Sequence, residues 1–505
     1  MDYSQTKDTK DATVHDKEND GGEDIAIGSQ EEVIDYDFLR SWKWSTLYRS
    51  VLFQMVMFGA LSLVGPAMGD AISNLGGGGL STPWLANLAN SLSYAMGFIS
   101  TILGGPIINR IGIKWACFIA ALTMPLQGSA YYVNAKFGID WYLIASNVIN
   151  GLAGGFLYVG ETTAMLCYPR PEEKGLYLGI WSAMRSSGSL IGGAINFSTN
   201  SDRASAGGIA WSTYLVFVAF ECTGVIWALL LSPTPRVRRR DGSKVAMSGR
   251  VTWKQEFVAL WSYLQSNKVS NESGFEIWKA PNTMPGLVDL SALVLLFLLR
   301  RDNGYLSLAT LFGPRTRSFI FSYPYVSTLG PANYLLTRTA AITIPSVVVF
   351  GKLLDSQRWS QRPKAWAAFL LWILPQTGCF IWVAFEYHYL GDKSALDYGS
   401  ESGRWARAYV PYLIVFVSGY WTQLTLYWIL GTFSNDMGDS SRVGGLFRAF
   451  ETAGQAVSYG LSSASGIAPV VPIYVNCGLL VLTVPSMVML ITRMPRKPLS
   501  SVIAE

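Results

Sequence analysis

Between Arg49 and Asp70, Asp70 and Arg110, Lys114 and Lys136, Asp140 and Glu161, Lys364 and Glu386, Arg407 and Asp436, and Glu451 and Arg493, the chain carries no charged side chain. A helix crossing a bilayer needs about 20 mainly apolar residues, because the hydrocarbon is roughly 30 Å thick. Each interval is long enough, and Pro469 with Pro472 divides the last into two. Backbone amides at that depth have no water to bond, so a crossing is helical or part of a closed barrel. Period-2 alternation is absent, which leaves helices. The predicted fold is therefore all-α, a polytopic membrane protein. Crossings are expected near residues 48–69, 84–108, 113–134, 139–166, 175–198, 210–231, 364–386, 408–433, 444–467 and 471–492. Two more are to be fitted between 285 and 355, which brings the total to about 12.

Only 14% of residues are charged, against roughly 25% in soluble proteins. Two histidines, His15 and His388, leave no His-cluster metal site and argue against a Ser-His-Asp centre. The five cysteines are isolated, with no C-x-x-C pair. No metal or other cofactor, no nucleic acid and no enzymatic activity is expected. The glycine run 76–79 lacks a following G-K-[ST], and Gly351-Lys352 lacks the upstream glycine of a P-loop, so ATP is not expected either.

Residues 1–37 hold 12 acids and three lysines, which leaves 36 basic and 22 acidic residues in the remainder. The basic residues mark alternate connections: Arg110 and Lys114; Arg170 and Lys174; Arg236 to Lys254; Lys352 to Lys364; Arg442; Arg493 to Lys497. By the positive-inside rule these loops and both termini are cytoplasmic. The expected layout is an acidic disordered tail at 1–40, a six-helix bundle at 41–232, a basic cytoplasmic loop at 233–285, a second six-helix bundle at 286–494 and a short tail at 495–505. The basic loop is a topology signal with attraction for anionic lipid, and a candidate docking site for a protein partner. No cleavable signal peptide is expected. Plasma membrane and vacuolar or other endomembranes fit equally.

The halves echo each other. Gly105-Pro-Ile-Ile-Asn109-Arg110-Ile-Gly112-Ile-Lys114 corresponds to Gly351-Lys-Leu-Leu-Asp355, and Gly179 to Gly188 corresponds to Gly445 to Gly454. Such duplication suggests a transporter fold. The turn Gly105 to Lys114 resembles the signature loop of the major facilitator superfamily, G-x-x-x-D-R-x-G-R-(K/R). Asn109 stands where the acid is expected and Ile113 at the first basic position; the second copy keeps its acid, Asp355. Gly65-Pro66-Ala-Met68, the run Asn74-Leu-Gly-Gly-Gly-Gly79, Gly160-Glu161, Tyr168-Pro169, Lys174-Gly175 and Phe350 to Asp355 are similar to the fungal branch of the UNC-93-like family. The resemblance covers about 40–265 and 340–495. It implies two six-helix bundles of the major facilitator fold, with the signature loop latching them, and with crossings 1, 4, 7 and 10 lining a central cavity. With Asn109 in place of an acid, the first latch is expected to be weaker.

Ionisable residues at bilayer depth face a cavity or each other. Glu161 and Arg185 lie about two and three turns from the same Pro169–Pro171 turn, so an ion pair between them is expected. Glu451 holds the position repeat-related to Arg185, with Arg448 one turn earlier. Two readings stand: interhelical packing pairs, or a proton site at Glu161 or Glu451 tuned by an arginine. Further cavity candidates are Gln54, Asn87, Asn90, Asn147, Asn150, Tyr420, Gln423 and Tyr427, the last three sharing a helix face. Glu221 is a weaker candidate.

Residues 267–340 break the pattern. The run Leu290 to Leu299 is short, and Arg300, Arg301, Arg315 and Arg317 contradict the charge rule. One hypothesis is a mis-spliced or frame-shifted stretch, which an uninterrupted RNA read across it would refute; the other is a broken helix lining the pathway. The expected function is secondary transport of a small organic solute, with a proton as candidate coupling ion, by alternating access between the halves. The alternative is a non-transporting accessory protein that escorts or modulates another membrane protein.

Overall fold

The computed structural model describes residues 34–36, 38, 44–73, 80, 82–200, 211–247, 252–264, 339–390, 398–433, 436–463 and 471–494. The expectations for 267–338, for the glycine run 76–79 and for the two tails (1–33 and 495–505) lie outside these residues. Among those described, the chain is helical, with isolated β-bridges joining Ile34 to Ser243 and Arg238 to Ser50 and Lys244. The helices are α1 (Trp44–Arg49), α2 (Val51–Val64), α3 (Pro66–Ser73), α4 (Pro83–Ile111), α5 (Ile113–Phe137), α6 (Asp140–Cys167), α7 (Lys174–Asn200), α8 (Trp211–Cys222) and α9 (Gly224–Leu229). A short connecting helix, α10 (Trp253–Leu264), precedes α11 (Thr339–Leu354), α12 (Gln361–Leu390), α13 (Tyr398–Leu430), α14 (Met437–Ser463) and α15 (Val471–Arg493). Among the described residues, six spans are long and apolar enough to cross a membrane by length and composition.

The first crossing is broken where the sequence reads Gly65-Pro66. α2 starts on Ser50, whose hydroxyl accepts the Phe53 amide, and stops at Gly65. Pro66 has no N–H for the preceding turn and opens α3, in which the crossing continues to Ser73. It thus extends beyond the expected limit of 69 and takes Asp70 in with it. The sixth crossing is likewise in two pieces, α8 and α9. Between α4 and α5 a single residue, Gly112, turns the chain at φ 84°, a conformation that favours glycine.

α4 lies along α14, and α7 along α11. Small residues permit this. A Cβ on Gly105 would stand 2.8 Å from the Ser441 carbonyl oxygen, and one on Gly175 or Gly351 would collide with the other's backbone. Bilayer lipid is as apolar as leucine, so close backbone approach and interhelical hydrogen bonds supply the association.

The helix ends carrying Arg110, Lys114, Arg170 and Asp355 form what we call the basic end. Much of its charge is spent inside the protein. Arg239 donates to the carbonyls of Cys167 and Tyr168 at the close of α6, both at 3.1 Å, and Lys114 to that of Leu229 at the close of α9. These are the cation positions a helix C-terminus favours. Arg170 pairs with Asp241. Asp35 bridges Arg49 and Arg238 at 2.9 Å each, and hydrogen bonding from Arg238 pulls its carboxyl down to about 2. The chain is therefore engaged with the bundle from Ile34, inside the stretch expected to be a free tail.

Candidate functional site

The buried polar centre is built from both halves. Ser62 on α2, Glu161 and Thr162 on α6 and Trp181 on α7 come from the first; Gln423 and Tyr427 on α13 and Arg448 and Glu451 on α14 come from the second. All are buried, Glu161 completely.

Arg448 organises the cluster. Its Nη1 donates to Glu451 Oε2 at 2.6 Å and its Nε to Thr162 Oγ1 at 2.9 Å. Its Nη2 stands 3.9 Å from Glu161 Oε2, and neither of those two atoms has a hydrogen-bond partner. Glu161 Oε1 accepts from Ser62 Oγ at 2.5 Å, and Ser62 Oγ accepts from the Trp181 indole at 3.0 Å. Gln423 donates to Glu451 Oε1 at 3.3 Å. The guanidinium carbon lies 5.2 Å from the Tyr158 ring centre, 5.3 Å from that of Tyr427 and 5.9 Å from that of Trp181, within cation–π range. Glu161 is thus held firmly on one oxygen and loosely on the other, facing a cation across a gap that one hydrogen bond would close.

The expected Glu161–Arg185 pair does not form. Arg185 makes its salt bridge to Asp70, at 3.3 Å, on the second piece of the first crossing, where Asp70 is part-exposed. Arg448, one helix turn from Glu451, fills the place opposite Glu161. The Trp181 ring links the two groups, lying 5.9 Å from the guanidinium carbon of each arginine. Beside Asp70 is a cavity of about 40 Å³ among helices of the first half, lined by Asp70, Asn90, Tyr94, Gln127, Asn150 and Tyr158. It has room for two or three water-sized groups.

Other candidates are distributed differently. Gln54 ties the two ends of the first half's chain together: its amide donates to Tyr48 O at 2.6 Å and accepts from Ser232 N at 2.8 Å. Asn147 donates to Leu143 O within its own helix, and Asn150 to Gln127 at the cavity. Asn90 joins Tyr131 to Ser73. Tyr420 is half-buried beside Phe416, outside the cluster that Gln423 and Tyr427 enter. Trp421 stacks on Phe350 with ring centres 5.3 Å apart. Glu221 accepts the Gly128 amide at 3.1 Å and packs α8 on α5.

At the basic end the signature loop meets the other half. Asp355 accepts the amides of Gly175 and Leu176, both at 2.7 Å, and so caps α7. Asn109 accepts from Ser441 Oγ at 2.7 Å and donates to Glu256 Oε1 at 3.2 Å. Glu256 receives Arg442 on both oxygens, at 2.9 and 3.1 Å. The acid missing at position 109 is therefore supplied from α10. Arg110 covers the Trp253 ring of the same helix at 5.0 Å.

Asp70, Ser62, Trp181 and Glu256 were not singled out from sequence. Asp70 was hidden because it reads as the charge that ends the first apolar interval; the Gly-Pro pair four residues earlier was the signal. For Glu256 the signal was Thr252-x-x-Gln255 before an apolar run. That is a capping box, realised as Thr252 N to Gln255 Oε1 at 2.9 Å and Gln255 N to Thr252 Oγ1 at 3.4 Å.

Residues 87–267 match the family model described as "Ion channel regulatory protein UNC-93". The chain is 28% identical over 429 residues to the Notoamide biosynthesis cluster protein O' of Aspergillus versicolor, covering 83% of this chain and 84% of that one. It is 25% identical over 461 residues to UNC93-like protein 1 of Arabidopsis thaliana, covering 89% and 91%. Among solved structures it is similar to the E. coli fucose:proton symporter FucP, with TM-score 0.54 and 12% identity over 88% of this chain and 99% of that one.

Proposed function

We propose, from the premise that this chain is an UNC-93-like protein with the major facilitator fold, that it is a secondary transporter of a small organic solute whose coupling site is the Glu161–Arg448–Glu451 cluster. One observation carries the reading: a buried guanidinium shared between carboxylates of opposite halves, so that any rocking of one half against the other must remake it. In a static packing pair both oxygens would be satisfied. Here Glu161 Oε2 and Arg448 Nη2 face each other at 3.9 Å without a hydrogen bond.

Charge supports a proton as the coupling ion. The buried centre contains two carboxylates (Glu161 and Glu451) and one guanidinium (Arg448), while Arg185 beside it is matched by the part-exposed Asp70. Arginine stays protonated. Buried charge unbalanced by one is costly, so neutrality calls for one proton or one cationic solute group among the carboxylates. Glu161 is the exchangeable position, because only one of its oxygens is committed. Solute uptake or efflux is then measured in a null strain complemented with wild type, Glu161→Gln or Glu161→Asp at matched surface expression. The expected result is loss of proton-dependent flux in Glu161→Gln, with partial retention in Glu161→Asp. Unchanged flux in Glu161→Gln returns the cluster to packing.

The description of the matching family model favours a second reading, an accessory protein that modulates another membrane protein. On that reading no solute flux responds to Glu161→Gln, while a partner's activity follows the presence of the chain.

A further inference from the structure

We propose that α10 is a lipid-seated latch: one face of this helix rests in the headgroup boundary of the membrane at the basic end, and the opposite face locks the two halves together through Glu256.

The locking face is short and buried. Glu256 is 2% exposed and Leu260 5%. From this one position Glu256 reaches Asn109, which closes α4 in the first half, and Arg442, which opens α14 in the second. Arg442 also binds Asp439 at 2.9 Å, and Ser441 binds Asn109. Two crossings of opposite halves are thus joined through a third element that belongs to neither bundle.

The other face is apolar and, among the described residues, exposed. Trp253, Phe257, Val258 and Trp261 are 46–61% exposed, at spacings of four, five and eight residues, which place them along one side of a helix. Trp253 stacks on Phe257, with ring centres 6.4 Å apart. Lys254 falls within the same arc, while Gln255 lies away from it. An amphipathic helix bearing tryptophan, phenylalanine and lysine on its outer side is suited to lie in the plane of the interface. The level is right as well. α10 touches the last turn of α4, where a crossing helix leaves the hydrocarbon, and exposed Ile111, Trp115 and Ile119 stand at the same end. Arg110, over the Trp253 ring, adds a second cation for the headgroups. The occupant of this face is the surrounding leaflet. Because Glu256 and the aromatic stripe share one short helix, seating on lipid and locking of the halves are a single event.

The test uses the full-length protein with Cys222 and Cys477 replaced by serine, reconstituted in vesicles of phosphatidylcholine and phosphatidylserine. A spin label is placed in turn at Gln255→Cys, Phe257→Cys and Trp261→Cys. Labels at 257 and 261 are expected to be several-fold more accessible to oxygen than to a water-soluble nickel chelate, with the order reversed at 255. Equal nickel access at all three positions overturns the lipid contact; so does protection of 257 and 261 from both reagents, which would indicate a protein partner or a second copy. The latch is read from a label pair at Glu172→Cys and Arg358→Cys, exposed positions on the two halves. Their separation is expected to lengthen in Glu256→Gln and in the triple variant Trp253→Ala, Phe257→Ala, Trp261→Ala. An unchanged distance in both overturns the coupling. Neither readout involves transport, so the inference stands or falls apart from the proposed function.

Discussion

Arg448 is the side chain whose loss should be felt most. Its replacement by methionine leaves two carboxylates buried without their cation, and breaking a buried pair in this way costs about 3–5 kcal/mol. Thermal unfolding in detergent should fall accordingly and recover in large part in the double variant Arg448→Met, Glu451→Gln. Ser62→Ala removes a charge-assisted hydrogen bond to Glu161 and the acceptor of the Trp181 indole, worth about 1.5–3 kcal/mol together. At the basic end, burial pushes the Asp355 carboxyl up to about 6 from 3.8, against the pull of the Leu176 and Gly175 amides. Between those values the native protein holds a proton that the unfolded chain has released, so this residue makes the protein more stable as pH falls from about 6 to 3.8. Asp355→Asn should flatten that part of a stability–pH curve. A curve unchanged by the substitution would refute the assignment.

At the scale of elements, α10 and the glycine crossings make the sharper predictions. Asn109→Asp restores the acid that the signature loop lacks, but sets it against Glu256, whose oxygens lie 3.2 and 3.4 Å from the Asn109 amide. The single change should destabilise, and the double change Asn109→Asp, Glu256→Gln should recover much of the loss. A double-mutant cycle on detergent stability is expected to give a coupling of about 0.5–3 kcal/mol. Gly351→Ala inserts a methyl against the Gly175 backbone, which cannot give way as a side chain would. Overpacking of this kind costs about 1–3 kcal/mol and should part α7 from α11, widening the Glu172–Arg358 label distance. Most helices were legible from the spacing of charges, because the bilayer sets their length. What charge spacing did not reveal was where a helix bends or which partner a charge chooses. The first crossing runs on past Gly65–Pro66 to Ser73, so Asp70 lies on a helix and meets Arg185 there. An acid absent from the signature loop itself can arrive from elsewhere in space, as Glu256 does beside Asn109.

For the whole molecule, hydropathy and the internal repeat were enough to indicate two related helical bundles, since both follow from solvent and duplication and not from particular contacts. The polar centre was legible in part. Glu161, Gln423, Tyr427 and Glu451 converge, whereas Gln54 and Tyr420 lie apart, because helix periodicity fixes a face and not the rotation of that face toward a neighbour. The paired contacts α4 with α14 and α7 with α11 place the halves against each other along two seams, with Gly105 on one and Gly175 and Gly351 on the other.

Trp181 has a wider effect than its size suggests. Its indole lies near two guanidiniums that answer to different carboxylates, so it is a side chain that the two ion pairs have in common. Replacing the ring would remove a neighbour from both arginines at once.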